Sequence, residues 1–231
     1  MKRILILFLV AVSFSGLSAQ TADEVVGKHL DAIGGADNWR KVNSVKMEGV
    51  LQVQGTDVNV TMTRLHGKGQ RQDISVMGMT GFDITTPTEG WTFMPFQGQQ
   101  TPEAKTPEAV AESQEELDVQ GKLVDYGTKG HTIELLGKEE VDGTDCFKLK
   151  ITSKAGIPET LLIDSKTFLV VKSIAIRKAN GQEMEIPTLY SNYQKQPEGI
   201  LIPLSMTLGF GELNITKVII NGPVDEAVFK K

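Results

Sequence analysis

The stretch Val45-Lys46-Met47-Glu48-Gly49-Val50-Leu51-Gln52-Val53, continued by Gln54-Gly55-Thr56-Asp57 and Val58-Asn59-Val60-Thr61-Met62-Thr63, decides the fold. Val45, Met47, Leu51 and Val53 alternate with Lys46, Glu48 and Gln52, and Val58, Val60 and Met62 alternate with Asn59, Thr61 and Thr63. Successive side chains of an extended chain point to opposite faces, so a period of two gives each strand one apolar and one polar face. Two strands joined by the Gln54–Asp57 turn are therefore predicted.

The same pattern runs outward from this pair. The His66-Gly67-Lys68-Gly69 turn leads to Ile74 and Val76, then come Phe82 and Ile84, then Trp91 and Phe93. A turn every ten or so residues favours an antiparallel meander. Residues 97–121 break the pattern with a polar loop, Gln97-Gly98-Gln99-Gln100, and a helix start at Thr106-Pro107-Glu108. That helix, read to Leu117, is acidic with a thin apolar stripe of Val110 and Leu117, which predicts a lightly held surface element. Strands resume at Thr132–Leu136, with hairpin signals at Asp142-Gly143 and Asn180-Gly181 and a turn at Asp164-Ser165-Lys166-Thr167. Phe147 to Ile151, Leu161 to Ile163, Phe168 to Ile176, Met184 to Ile186, Leu189 to Tyr193, Ile202 to Leu208 and Leu213 to Ile220 complete the set. So many strands, about eleven, need a strongly curved sheet or an open barrel.

Before the strands, Thr21-Ala22-Asp23-Glu24 reads as a capping box, with Val25, Val26, Leu30 and Ile33 at helical spacing and Gly34-Gly35 as the stop. A short second helix is predicted from Ala36 to Val42, carrying Trp39. Further upstream, Lys2 and Arg3 precede the apolar run Ile4 to Val12 and the small-residue segment ending Ser18-Ala19. This is the layout of a cleavable signal peptide, residues 1–19, and the run is far short of the ~20 residues of a membrane span. Residues 20–231 then form a single domain, because no break in composition divides them. Losing Lys2 and Arg3 takes the net charge from −5 to −7.

That acidic balance argues against a nucleic-acid binder. One cysteine, Cys146, excludes an intramolecular disulfide and a Cys-rich zinc site, and its neighbours Phe147 and Leu149 predict a buried thiol. The three histidines, His29, His66 and His131, make no metal-binding motif, and His131 reads as an exposed loop residue. No Gly-x-Ser-x-Gly elbow or phosphate-binding Gly-Lys-Ser/Thr loop is present. Asp73 and Asp83, near apolar strands, are the candidates for raised-pKa acids if the chain is a hydrolase. The Asn59-Val60-Thr61 and Asn214-Ile215-Thr216 sequons fall within predicted strands.

The order of weak motifs resembles a known family. A helix ending Ala32-Ile33-Gly34-Gly35-Ala36 precedes the strand Val45-Lys46-Met47-Glu48-Gly49. Then come Glu89-Gly90-Trp91-Thr92-Phe93-Met94-Pro95, the helical insert, and Gly121-Lys122-Leu123-Val124-Asp125-Tyr126. Leu162-Ile163-Asp164-Ser165-Lys166-Thr167, Tyr193-Gln194-Lys195, Glu198-Gly199-Ile200 and Asn221-Gly222-Pro223-Val224-Asp225 follow. This arrangement is similar to the outer-membrane lipoprotein-sorting, or LolA-like, superfamily, over almost all of residues 20–231. The resemblance implies a mainly β (α+β) fold, an incomplete antiparallel half-barrel with helices plugging its concave side. It also implies a non-enzymatic periplasmic carrier of lipid acyl chains or acylated lipoproteins, with transient membrane protein partners and no cofactor. Arg40, Arg64 and Arg71 are candidates, by chain region, for an arginine that latches the helices.

The residues themselves are compatible with that. A lipid-binding half-barrel needs an apolar concave face that helices leave partly open. Met47, Leu51, Val58, Val60, Met62, Ile74, Val76, Phe82, Ile84, Trp91 and Phe93 supply the candidate cavity lining. Seven methionines lie beyond the leader, and flexible thioethers adapt to ligands of varied shape. The same residues also read as plain core, and a protein-binding or sensor module with no lipid is the alternative function.

Overall fold

The alternation becomes strands wherever it is sustained, and the strands form one sheet in the computed structural model, which describes residues 20–179 and 182–231. They are β1 (Ser44–Val53), β2 (Thr56–Leu65), β3 (Gly69–Val76), β4 (Met79–Thr85), β5 (Gly90–Phe93), β6 (Glu103–Ala104), β7 (Thr132–Val141), β8 (Thr144–Thr152), β9 (Pro158–Asp164), β10 (Val170–Ala179), β11 (Gln182–Lys195), β12 (Leu201–Leu208) and β13 (Gly211–Ile220). Thirteen strands replace the expected eleven or so. Two-residue β6 has no periodicity to read, while Met184–Ile186 and Leu189–Tyr193 are one strand running through Pro187. The signal-peptide reading and the Asn180-Gly181 turn lie outside the described residues.

The order across the sheet is β6-β5-β4-β3-β2-β1-β13-β12-β11-β10-β9-β8-β7, every pairing antiparallel. One meander runs outward from β1 to the edge at β6. The chain then crosses to the far edge at β7 and a second meander returns to close on β1 through β13. The connection must therefore span the whole sheet, and it does so over one face. Curvature accompanies irregularities at Glu48/Gly49, Leu135/Gly137 and Val170/Lys172, since bulges bend and twist a sheet. At the first, a Cβ on Gly49 would stand 2.6 Å from the Asn214 carbonyl oxygen. The result is a mainly β, open, curved antiparallel sheet with a few short helices.

Helix α1 (Ala22–Ala32) has the predicted capping box, with Glu24 N–H donating to Thr21 Oγ1 and Thr21 N–H to Glu24 Oε2. Its Val25 and Val26 pack with Phe147, Leu149, Ile151, Leu161 and Ile163 of β8 and β9. Helix α2 (Ala36–Trp39) ends three residues earlier than expected. The predicted 106–117 helix is instead α3 (Pro107–Glu112), capped by Thr106, followed by a separate 3-10 turn at Gln114–Leu117. Its two predicted anchors, Val110 and Leu117, are buried. The interruption of the sheet extends to residue 131, where turns replace any strand.

Candidate functional site

Partners in an antiparallel pair share a face, so register assigns every strand residue to one side. Met47 lies opposite Met62, Leu51 opposite both Val58 and Leu213, Val60 opposite Ile74, and Met206 opposite Leu213. Leu161, which packs with α1, faces Ser173, and the Ser173 hydroxyl is 3.0 Å from that of Tyr190, the partner of Met206. All of these occupy one side, the inner face, the one α1 covers. Seven of the predicted lining residues, Met47, Leu51, Val58, Val60, Met62, Ile74 and Val76, lie there together.

The other four do not. Phe82 pairs with Asp73 and Phe93, and Ile84 with Arg71 and Trp91, which puts Phe82, Ile84, Trp91 and Phe93 on the outer face. There they form a small core under the C-terminal segment. Arg71 stacks on the Phe82 ring and donates to the Val228 carbonyl, Lys231 lies over Trp91, and Phe229 fills the space above Gly69. Ile84 is fully buried.

On the inner face, Val60, Leu213 and Ile215 are buried, and Met47, Leu51, Val58, Met62, Leu204, Met206 and Val218 around them are partly exposed. Among the described residues the members of this cluster lie on β1, β2, β12 and β13, and three of them, Met47, Leu204 and Val218, also pack against the cluster that holds Trp39, Val42 and Val119. Residues of β12 and β13 were missing from the sequence-derived lining, although Leu204, Met206, Leu213 and Ile215 show the same alternation. The neighbouring half of the face, by contrast, is roofed. Val42, Val119 and Trp39 cover Val45, Ile202 and Ile220, and Leu123 joins Val25 and Val26 over β8 and β9.

Polar contacts hold that roof. Gly67 N–H, in the predicted β2–β3 turn, donates to the Leu117 carbonyl, and Gln120 Nε2 to the Arg40 carbonyl. Arg40 grips Asp125 with both Nε and Nη2, at 2.8 and 2.7 Å. Lys122 bridges Glu115 and Glu159 at 2.9 and 2.7 Å. His29, on the buried side of α1, has its Nδ1 2.8 Å from the Phe168 carbonyl oxygen, and desolvation holds its pKa below the ordinary value. His131 is partly buried, not an exposed loop residue, because its Nδ1 accepts from Lys154 N–H. Of the three candidate latch arginines, Arg40 lies on the roof and Arg71 on the outer face. Arg64 is on the inner face between Val45 and Gln70, where desolvation lowers its pKa against the opposing pull of Glu116.

The candidate acids are separated by the sheet. Asp83 faces inward, pairing with Gln72, and meets Lys105 Nζ at 2.6 Å. Burial raises its pKa, while the Lys105 hydrogen bond and charge oppose the rise. Asp73 faces outward and pairs with Arg71. The two carboxylates cannot work on one substrate atom. Among the described residues no three His, Cys, Asp or Glu side chains are grouped to hold a metal ion. Cys146 is fully buried, as predicted, and desolvation raises its pKa. Asn59 and Asn214 are strand residues, also as predicted.

The sequence matches no family profile and no curated protein. Solved structures supply the likeness. A DUF1329 family protein from Desulfovibrio piger superposes with a TM-score of 0.58 at 14% identity, covering 92% of this chain and 98% of that one. A LolA superfamily protein from Nitrosomonas europaea gives 0.56 at 13% identity, covering 92% and 99%. A domain described as outer membrane lipoprotein-sorting, from Vibrio parahaemolyticus, gives 0.52 at 15% identity, covering 90% and 95%. At such identities the likeness establishes the fold, which is LolA-like, as the motif order implied.

Proposed function

We propose that the inner face binds the acyl chains of a lipid or acylated lipoprotein and carries them, shielded from water, toward the outer membrane. The observation that carries this reading is the partly exposed apolar cluster of Met47, Leu51, Val58, Met62, Leu204 and Met206 around Val60, bordered on one side by the roof residues Trp39, Val42 and Val119. Each methylene moved from water onto such a surface contributes roughly 0.8 kcal/mol, so a chain of ~14–16 carbons retains several kcal/mol after ordering costs. No charged anchor is required, and methionines adapt to different chains. The likeness to a lipoprotein-sorting domain supports the reading. In this proposal residues 1–19 direct export to the periplasm and are removed, residues 20–231 act as one domain, and transfer is completed by transient membrane protein partners. Helices α1 and α2 and the segment around α3 serve as the lid.

The test is native mass spectrometry of the exported protein, followed by organic extraction and lipid analysis. A near-stoichiometric species with fatty acyl chains is expected. Val60→Trp, at the buried centre of the cluster, and Leu51→Trp, at its partly exposed margin, should abolish that species, Leu51→Trp while leaving the melting transition in place. A clean apo mass that stays clean after incubation with phospholipid and lipopeptide overturns the carrier reading and leaves a protein-binding module.

A further inference from the structure

At β6, the last strand of one sheet edge, lies a groove outside the inner-face cluster. It measures about 390 Å³ and runs between the β4–β5 turn and α3. Pro87, Trp91, Ala104, Pro107, Val110 and Ala111 make its lining mainly apolar. The volume is at the lower end of the roughly 300–1,000 Å³ of ligand pockets, enough for a large side chain. Both walls are fixed before anything binds. Thr86 closes the turn: its N–H and hydroxyl donate to the Glu89 carbonyl at 2.8 and 3.0 Å, and its Oγ1 accepts from Glu89 N–H at 3.1 Å. Thr106 caps α3 by accepting from Ala109 N–H. Gln114 Nε2 donates to the carbonyls of Thr86 and Val110, at 3.1 and 3.0 Å, and so ties turn to helix at one end. A preformed groove spares its occupant the cost of ordering the site.

The charge around the groove is one-sided. From Thr85 to Gln114 the chain carries Glu89, Glu103, Glu108 and Glu112, all exposed, and a single base, Lys105. Glu89 lines the groove, and the other three glutamates each adjoin a lining residue in sequence. Lys105 is turned inward. Its stem passes over Gly90, where a Cβ would stand 2.6 Å from Lys105 Cδ, and its Nζ meets Asp83 at 2.6 Å and Thr85 at 2.8 Å. From the elements packed beside this edge, Lys231 lies over the Trp91 ring at 4.1 Å, and Arg71 is held by Asp73 and the Phe82 ring. With Lys105 matched to Asp83, the four glutamates outnumber Lys230 and Lys231.

We propose that this groove docks an extended basic segment of a partner protein, with one apolar side chain inserted between the β4–β5 turn and α3 and basic side chains against the surrounding glutamates. Complementary charge of this kind speeds encounter and selects the partner. The same glutamates repel anionic headgroups and nucleic acid, and a concave site fits a side chain better than it fits a flat bilayer. A second copy of this chain, with a net charge of −5, is the poorer match. The inference rests on the carrier reading for its purpose: α3 is both a wall of the groove and part of the proposed lid, so a partner seated there acts on the lid directly.

The experiment is fluorescence anisotropy of a labelled peptide, Lys-Leu-Lys-Phe-Lys-Leu-Lys, with the exported protein, beside its charge-reversed counterpart Glu-Leu-Glu-Phe-Glu-Leu-Glu. The basic peptide alone should bind, and more weakly as salt is raised. Ala111→Trp, which fills the groove from its exposed α3 wall, should weaken binding at least about tenfold. Glu89→Lys/Glu112→Lys should weaken it about two- to tenfold. Glu183→Lys/Glu185→Lys, the same change of charge on the β10–β11 ribbon, should leave it unaltered at physiological salt. No binding of the basic peptide, undiminished binding by Ala111→Trp, or equal losses in the two charge variants overturns the proposal. A dimer in sedimentation, or flotation with phosphatidylglycerol vesicles, that Ala111→Trp abolishes gives the groove to a second copy or to a membrane and overturns it likewise. Acyl content, measured on the same preparations, keeps the two readings apart. A lipid-loaded protein that ignores the peptide refutes the docking groove alone, and a peptide-binding protein that never carries acyl chains refutes the carrier alone.

Discussion

Substitution of Gly34 by alanine tests how the roof is fixed to the sheet. Gly34 and Gly35 join α1 to α2, and both have positive φ, 105° and 90°. Alanine at either site carries a backbone penalty of about 1–2 kcal/mol. The surroundings differ sharply. A Cβ on Gly34 would stand 2.2 Å from the Gly199 oxygen and 2.8 Å from Ile200 Cα, whereas one on Gly35 would meet nothing within 4 Å. The close approach is held from both sides. Ile33 O accepts from Leu201 N–H at 2.8 Å and from Trp39 Nε1 at 3.0 Å, and Asn38 Nδ2 donates to Gly34 O at 2.8 Å. Backbone cannot swing aside as a side chain would, so Gly34→Ala adds an overpacking cost of about 1–3 kcal/mol. In a chain of this length 1 kcal/mol moves Tm by roughly 2–4 °C. Thermal denaturation should therefore show Gly35→Ala down by about 2–8 °C and Gly34→Ala lower again by about 2–12 °C. Equal losses for the two variants would refute the claim that this corner is wedged against the β11–β12 loop.

Other consequences concern the lid, the buried imidazole and the thiol. Hydrogen exchange across residues 107–117 should change most on lipid loading, because that stretch is a six-residue helix and a single turn whose buried side chains are Val110 and Leu117 alone; an identical exchange pattern with and without lipid would remove it from the lid. His29 is held neutral in the fold by burial, so as pH falls through its ordinary value of 6.5 the unfolded chain takes up the proton first and stability declines. Urea titrations at pH 7.5 and 5.5 should show that decline in wild type and a smaller one in His29→Gln, and parallel declines would assign it elsewhere. Cys146 is fully buried with its pKa raised by desolvation, so an aromatic disulfide reagent should modify it no faster than the protein unfolds. Prompt labelling under native conditions would contradict that burial.

The strands, the capping box and the buried thiol were legible because each is set by neighbours in sequence. Alternation from Val45 onward needs only the period of an extended chain, and Thr21 reaches Glu24 within one helical turn. The roof was less legible. Lys122 meets Glu159, and Gln120 meets the Arg40 carbonyl, only because the topology sends the chain across the sheet between its two edges.

The division of the apolar residues between faces fell between these cases, and it follows from turn length. A three-residue loop, His66–Lys68, pairs Leu65 with Gly69, so even-numbered positions of β2 face even-numbered positions of β3, and Val60 sits beside Ile74. The next turn has two residues, Met77-Gly78, and pairs Val76 with Met79. Even positions of β3 now oppose odd positions of β4, so Ile74 faces Gly81, while Phe82 and Ile84 turn outward with Trp91 and Phe93. A one-residue difference in loop length flips every side chain beyond it. Met77 hid the turn because it is neither Asn nor Asp, the residues from which such turns are recognised. The side chain that obscured the register is also the most exposed large apolar side chain among the described residues, at 82%.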